Sequence, residues 1–328
     1  MFIVGGSQKS RDYDRRLDHL IALLSTFRSP EDAADLAHTG QLIYEELLCE
    51  FLQSVHDRFG GENLIFGGGY ALNSSGNGKI LSQTPYARLH VPMAPGDDGN
   101  AIGAAILAWK LDHPRETPRV TGDPYLGSAI EEESLERLKT YGGLRHEAFL
   151  SEQDLAQATA REPAEGKFSG WVQGRAEFGP RALGNRSILA DPRDPEVRHR
   201  LNAQVKFREE FRPLAPSVLH RRGAEYFSGY QFSPYMERTL PFSRPEAAPG
   251  VVHQDETGRV QSVTQELNPV FSGLLTEFER LTGLPMLLNT GYNVVGRPIM
   301  HDMHDAVAVF LTTGLDVLVI GKDLFRKS

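Results

Sequence analysis

At 328 residues, 40% hydrophobic and 24% charged, the chain has the length of two domains and the composition of an ordinary soluble globular protein. Its net charge of -8 argues against general nucleic-acid binding, which needs a basic surface for phosphate. The one cysteine, Cys49, excludes a disulfide framework and a Cys-based zinc site and suits a cytoplasmic location. The opening MFIVGG is too short for a signal peptide, and no apolar run approaches the ~20 residues of a membrane span, so no membrane is implied.

The first predicted element is a helix. Ser29 stands at its N-cap and Pro30 at N1, Ile43, Leu47, Phe51, Val55 and Phe59 recur every four residues, and Gly60-Gly61 stops it. A short strand over Asn63 to Phe66 turns sharply at Gly67-Gly68-Gly69, and a second strand covers Leu89 to Pro92. Gly96-Asp97-Asp98-Gly99 leads into a run of small and apolar residues, Ala101 to Leu111, that predicts a closely packed helix. Residues 112 to 124 are proline-rich without an apolar period, which places a domain boundary there: 1–118 and 119–328. Beyond it, Ser151 caps a helix, Phe168 to Gln173 reads as a strand, and Asp194-Pro195 opens a helix running to about Val205. Helix 270–282, strand 284–288, helix 303–313 and strand 316–320 complete an α/β alternation, which favours a mixed sheet covered by helices.

The acidic chain carries a basic island. From Lys167 to Arg222 there are twelve Lys/Arg against six Asp/Glu, which suggests a small anionic ligand. Its densest stretch runs from Gln173 to Ser187, with Arg175, Arg181 and Arg186 among glycines: planar guanidinium forks for phosphate or carboxylate, and backbone that lets an anion approach. A second basic group, Lys206 to Pro213, follows. Arg208, Glu209 and Glu210 read there as a solvated charged face, whereas Arg181, in a glycine-rich turn after a proline, and Arg212, between Phe211 and Pro213, sit in contexts poor for free solvation. Lys206 is a compact point charge for the same anion.

The stretch QGRAEFGPRALGNRSILADPRDPEVRHRLNAQVKFREEFRPLAPSVL resembles the signature of NodU/CmcH-type O-carbamoyltransferases. The resemblance continues through Ser233-Pro234-Tyr235-Met236, His253-Gln254-Asp255 with Arg259, and Leu288-Asn289-Thr290-Gly291-Tyr292-Asn293. It implies a YrdC-like second domain that binds ATP and carbamoyl phosphate and makes a carbamoyl adenylate. Carried over by position, Arg181, Lys206, Arg212 and Arg259 hold the phosphates and the carbamoyl group, with Lys206, Arg181 and Arg212 as the catalytic set and Arg175 and Asn289 as further ligand-binding positions. One departure stands out: the family reads Asn-Thr-Ser-Phe-Asn where this chain has Gly291-Tyr292, so a serine hydroxyl expected at the ligand is absent.

In the first region, Gly67 to Ser74 resembles the nucleotide-side turn of the actin-like, Kae1-like fold, implying nucleotide binding at Gly68, Gly69 and Asn73. Pro95 to Ala105 resembles that fold's acidic turn and implies a metal ligand at Asp97, with Asp98 as the fallback. Helix N-capping explains those aspartates equally well. The family's metal-binding histidine pair, four residues apart, and its phosphate-binding hairpin are not in this sequence. His301 and His304, three apart, are explained by Asp302 as an N-cap. The resemblance therefore implies the later half of the Kae1-like domain followed by the YrdC-like domain, with a divalent metal (iron or magnesium) only where the missing half is supplied. Three readings compete: a carbamoyltransferase component acting on a hydroxyl of a sugar, antibiotic or nodulation factor; a split-enzyme subunit or truncated product, with a separately encoded first half as partner; and a threonylcarbamoyl-adenylate synthase-like protein, against which the acidic charge counts.

Overall fold

The computed structural model describes Ala22, residues 29–118 and residues 122–327. The opening segment and residues 119–121 of the predicted linker lie outside the described residues. The chain divides into two compact units, Met1–Gly60 and Gly61–Ser328.

In the first unit, α1 (Pro30–Phe59) starts as predicted: the Ser29 hydroxyl accepts from the Asp32 amide at 3.4 Å, and the Asp32 carboxylate accepts from the Ser29 amide at 3.0 Å. Two orphan amides of the helix start are thereby satisfied reciprocally. The burial differs from the predicted stripe. Leu48, Cys49 and Leu52 are buried, one position round from Ile43, Leu47 and Phe51, which are each about half exposed. The four-residue repeat marks a helix, but does not say which side is covered.

The second unit opens with β1 (Asn63–Ile65), α2 (Ser74–Gln83), β2 (Arg88–His90) and α3 (Asn100–Asp112). β1 and β2 pair in parallel, Asn63 opposite Arg88. The expectation that α3 packs closely is corrected: none of its residues is buried, and Leu107 and Leu111 lie open. Small, apolar composition gives helix propensity but needs a covering surface before it becomes a core.

The remaining elements are α4 (Glu132–Tyr141), β3 (Arg145–Ala148), α5 (Glu152–Ala164), β4 (Ser169–Val172), β5 (Arg186–Ala190), α6 (Val197–Leu201), β6 (Ala215–Leu219), β7 (Arg238–Pro241), β8 (Thr257–Val263), α7 (Pro269–Thr282), β9 (Met286–Gly291), α8 (Met303–Thr312), β10 (Val317–Ile320) and β11 (Asp323–Arg326). They form a nine-stranded mixed sheet in the order β3-β11-β10-β4-β5-β9-β6-β8-β7, parallel at β10/β4 and β6/β8 and antiparallel elsewhere. The helices α5 and α7 pack on each other and on the central strands, and α8 packs on β4. Trp171, Ile188, Leu274, Phe278, Leu287 and Phe310 are among the fully buried residues of this core. The mixed α/β alternation predicted for this part of the chain is therefore present.

Two close approaches fix the site end of the sheet. Gly170 on β4 lies under the buried Tyr292, where a Cβ would come within 2.6 Å of the ring, and the Tyr292 hydroxyl donates to the Ala306 carbonyl at 2.8 Å. On the other side, α2 is docked on β7: a Cβ at Gly78 would lie 2.0 Å from the Thr239 carbonyl oxygen, and the buried Asn77 amide donates to the Ala71 and Glu237 carbonyls, each at 2.8 Å. Among the described residues no helix is long and apolar enough to cross a membrane.

Candidate functional site

Strand register gathers the basic island. Ser187 at the start of β5 faces Gly291 at the end of β9, and Asn289 faces Ala215 at the start of β6. The connection between β4 and β5, the segment entering β6 and the turn after β9 thus emerge at one end of the sheet.

The β4–β5 connection is held by internal bonds. Glu177 Oε1 accepts from the amides of Leu183 (2.6 Å), Asn185 (2.8 Å) and Arg186 (3.2 Å). Burial nevertheless pushes its carboxyl above the usual range, the amides opposing. Arg186 is fully buried and donates to the carbonyls of Gln173, Asn185, Ser128 and Gly174. Arg175 donates to the carbonyls of Gly127 (2.9 Å) and Leu126 (2.8 Å). Its fork is thus committed to backbone, which explains its conformation without an anion. At Gly179, φ is +126° and a Cβ would meet the Met93 carbonyl at 2.5 Å; this close approach carries Arg181 toward the first strands, where its guanidinium reaches the Leu72 carbonyl at 3.4 Å.

The segment entering β6 begins where α6 widens into a single π turn, Asn202–Lys206, ended by Phe207 in the left-handed region at φ 49°. That geometry turns Lys206 inward. Its ammonium is buried and donates to the Gly291 carbonyl, to the Asn293 carbonyl (3.0 Å) and to Asn293 Oδ1 (2.6 Å). Burial first, and the neighbouring Arg208 second, lower its pKa to about 7. Arg259 on β8 is partly buried; burial, then Arg181 and Arg208, lower it to about 9. Its guanidinium makes no hydrogen bond or ion pair among the described residues, and its Nε is buried without a partner. Arg181 and Arg208 are held down chiefly by burial. No carboxylate acts on Arg181, Lys206 or Arg259.

The structure therefore brings together Arg181, Lys206, Arg208 and Arg259. Arg208 corrects the reading of residues 208–210 as a uniformly solvated face: Glu209 and Glu210 are exposed, but Arg208 is half-buried, donates to Asn202 Oδ1 at 2.8 Å and bears on both Lys206 and Arg259. The premise for Arg212 is also corrected. Flanking Phe211 is 79% exposed, and the Arg212 side chain is half exposed and paired with Glu209 at 2.8 Å. Asn289 on β9 is fully buried; its amide donates to Ser217 Oγ and Gln261 Oε1 at 3.0 Å each, while its Oδ1 has no partner.

The family model described as Carbamoyltransferase C-terminus matches residues 160–327, which spans all four of these cations and every strand of the sheet but β3. This chain belongs to the carbamoyltransferase family. The model described as Carbamoyltransferase N-terminus matches residues 14–106. The relatives of this carbamoyltransferase-family chain include nodulation protein NolO of Bradyrhizobium diazoefficiens (38% identical, covering 89% of this chain and 54% of that protein) and nodulation protein NolNO of Sinorhizobium fredii (40%, 89% and 44%). An uncharacterized Synechocystis protein is 36% identical over 92% of this chain and 54% of its own length. The chain thus spans about half the length of the relatives it matches. Among solved structures, full-length HypF in its phosphate- and nucleotide-bound form aligns with 60% of this chain and 27% of its own at 15% identity and a TM-score of 0.38, a likeness that carries no argument.

Within the family's N-terminal match, Gly68 (φ +95°) and Gly69 form the turn after β1, with the Gly68 amide donating to the Pro95 carbonyl at 2.7 Å. Asn73 caps α2 by accepting from the Gly76 amide at 2.9 Å. Asp97 is exposed in the short 3-10 turn before α3. Among the described residues, the cluster with potential ligand atoms in reach of one another is His301, Asp302 and Asp305, at the start of α8, where Asp302 caps the helix as expected. The sequence reading missed the participation of Arg208 and the part played by Asn293. The spacing Lys206-x-Arg208 was visible, but the two glutamates after it suggested a surface.

Proposed function

We propose that the cluster of Arg181, Lys206, Arg208 and Arg259 binds the phosphates of ATP and carbamoyl phosphate, and that this chain activates the carbamoyl group there as an adenylate for transfer to a hydroxyl of a small molecule. The observation that carries the reading is Arg259: a partly buried guanidinium with no hydrogen-bond or ion-pair partner among the described residues, its Nε buried and unsatisfied, beside Arg181 and Arg208 and no counter-charge. A buried donor without an acceptor and neighbouring like charges are costly, and an anion is the partner that removes the cost. In forming the adenylate, carbamoyl phosphate first gives up its phosphate to water, leaving carbamate and inorganic phosphate; a carbamate oxygen then attacks the α-phosphorus of ATP and pyrophosphate leaves with its electron pair, while the cations neutralise the charge that gathers on the phosphate oxygens and positioning supplies the rest. The acceptor oxygen then displaces AMP from the carbamoyl carbon and loses its proton. On this reading residues 61–112, as part of an actin-like domain, belong to the acceptor side.

The test is exchange of labelled pyrophosphate into ATP by the purified chain, with and without carbamoyl phosphate. Exchange that depends on carbamoyl phosphate and is lost in Arg259→Ala is expected. Exchange driven instead by threonine and bicarbonate would replace this reading with the threonylcarbamoyl-adenylate one.

A further inference from the structure

The ammonium of Lys206 has three hydrogens, and this structure gives it three acceptors: the Gly291 carbonyl, the Asn293 carbonyl and Asn293 Oδ1. No hydrogen is left for an anion. Two of the acceptors belong to main chain that other bonds fix. Gly291 ends β9 in register with Ser187, the Asn293 amide donates to the Gly291 carbonyl at 2.9 Å, and the Val295 amide donates to the Lys206 carbonyl at 2.9 Å. The third acceptor is a side chain held at its other end by one bond, from Asn293 Nδ2 to the Arg297 carbonyl at 2.6 Å. Asn293 also lines a cavity of about 390 Å³ shared with Glu177, Pro180, Ile299, Met300 and His301, so there is space for its side chain to move into. A Cβ at position 291 would lie 3.4 Å from Asn293 Oδ1 and 3.0 Å from Ile299. Glycine at 291 leaves the space beside Asn293 Oδ1 and Ile299 free of a side chain.

We propose that Asn293 is a positioning residue that controls anion access to Lys206: its amide oxygen occupies the place of one anion oxygen on the ammonium, and the anion binds by displacing it. The access step rests on the cation cluster being the phosphate site; the clamp on Lys206 stands without that. Asn293 stabilises the empty site by satisfying a buried cation, and in doing so competes with the ligand.

The experiment uses the full chain, as wild type, Asn293→Ala and Asn293→Asp, with two readouts. The first is the rate at which limiting acetic anhydride acetylates Lys206 without any anion, followed by peptide mass spectrometry. Labelling several-fold faster in Asn293→Ala and slower in Asn293→Asp, whose carboxylate holds the ammonium more firmly, is expected. The second is calorimetric titration with inorganic pyrophosphate, in which Asn293→Ala binds about tenfold tighter than wild type and Asn293→Asp more weakly. Unchanged labelling in both variants overturns the clamp, whatever the titration shows. Altered labelling with identical pyrophosphate affinity in all three proteins overturns its role in access. Absence of pyrophosphate binding from all three, with the labelling order kept, supports the clamp and sinks the reading of the cation cluster as a phosphate site.

Discussion

The β4–β5 connection and the segment from Lys206 to Pro213 are the two arginine-rich stretches of one basic island, and their side chains are used in opposite ways. In the first, Arg186 is sunk among four carbonyls and Glu177 gathers three amides, so charge builds the loop. In the second, Glu209 pairs with Arg212 and partly offsets Arg208, but no carboxylate acts on Lys206 or on Arg259 of β8, so charge is left over. What separates a scaffolding arginine from a ligand-binding one is therefore the accounting of its donors, not its place in a motif. Arg175 and Arg181 show the same contrast within six residues: one is tied to two carbonyls, the other makes a single long contact.

The largest expected effect breaks the first stretch. Arg186→Ala leaves the carbonyls of Gln173, Gly174, Ser128 and Asn185 short of a donor and removes the cation nearest Glu177; a loss of about 3 to 5 kcal/mol in chemical denaturation is expected. Arg259→Ala should do the reverse. Stability stays level or rises, because a partly buried charge with an unsatisfied Nε beside two like charges is removed, while pyrophosphate affinity falls roughly tenfold to a hundredfold, the worth of a charge-assisted hydrogen bond. A destabilised Arg259→Ala with unaltered affinity would erase the distinction between the two stretches.

A smaller effect follows from pH. The folded-state pKa of Lys206, about 7, lies below its ordinary 10.5, so the empty fold disfavours the charged form. The free protein therefore gains stability from this group as pH rises from about 7 toward 10, where the unfolded chain still binds the proton and the folded chain does not. An anion reverses the preference. Affinity should be greatest below about pH 7 and weaken above it by up to about tenfold per unit, and Lys206→Arg, charged throughout, should flatten that slope. Titrations between pH 6 and 9 give the slope directly, and a flat wild-type profile would show that the amine is not part of the anion site.

How far the sequence could be read depends on which physics each part uses. The capped start of α1, the strands β4 and β9 and the capped α8 were legible because caps and apolar runs are local signals. The basic island was legible as composition, and Arg181 and Arg208 both bear on Arg259 while Arg208 bears on Lys206. Burial was not legible. Arg208 looked solvated beside two glutamates, yet its partner Asn202 lies six residues back in a π turn that no periodicity announces. The clamp from Asn293 spans 87 positions and depends on β9 ending beside β5. The apolar run of α3 likewise promised packing, and composition could not show that the helix is left open.

Arg212 gives the smallest expected effect and the sharpest test of how the second stretch behaves. Its guanidinium pairs with Glu209 three residues away, both side chains about half exposed, and it helps to hold Arg208 below the usual arginine range. A solvated pair of this kind contributes little, because water screens the charges and two long side chains must be ordered. Arg212→Ala should therefore change the melting temperature by no more than about one degree, and in the free protein it relieves Arg208 of a like charge. If Arg212 stays with Glu209 when the anion binds, pyrophosphate affinity will change far less than in Arg259→Ala. A loss as large as that of Arg259→Ala would mean instead that the exposed segment swings over the bound anion and exchanges Glu209 for phosphate. The charge-reversing partner variant separates these outcomes: Glu209→Lys frees Arg212 from its carboxylate, so it should strengthen binding if Arg212 is a ligand and, beyond its general electrostatic contribution, leave it unaltered if Arg212 is not.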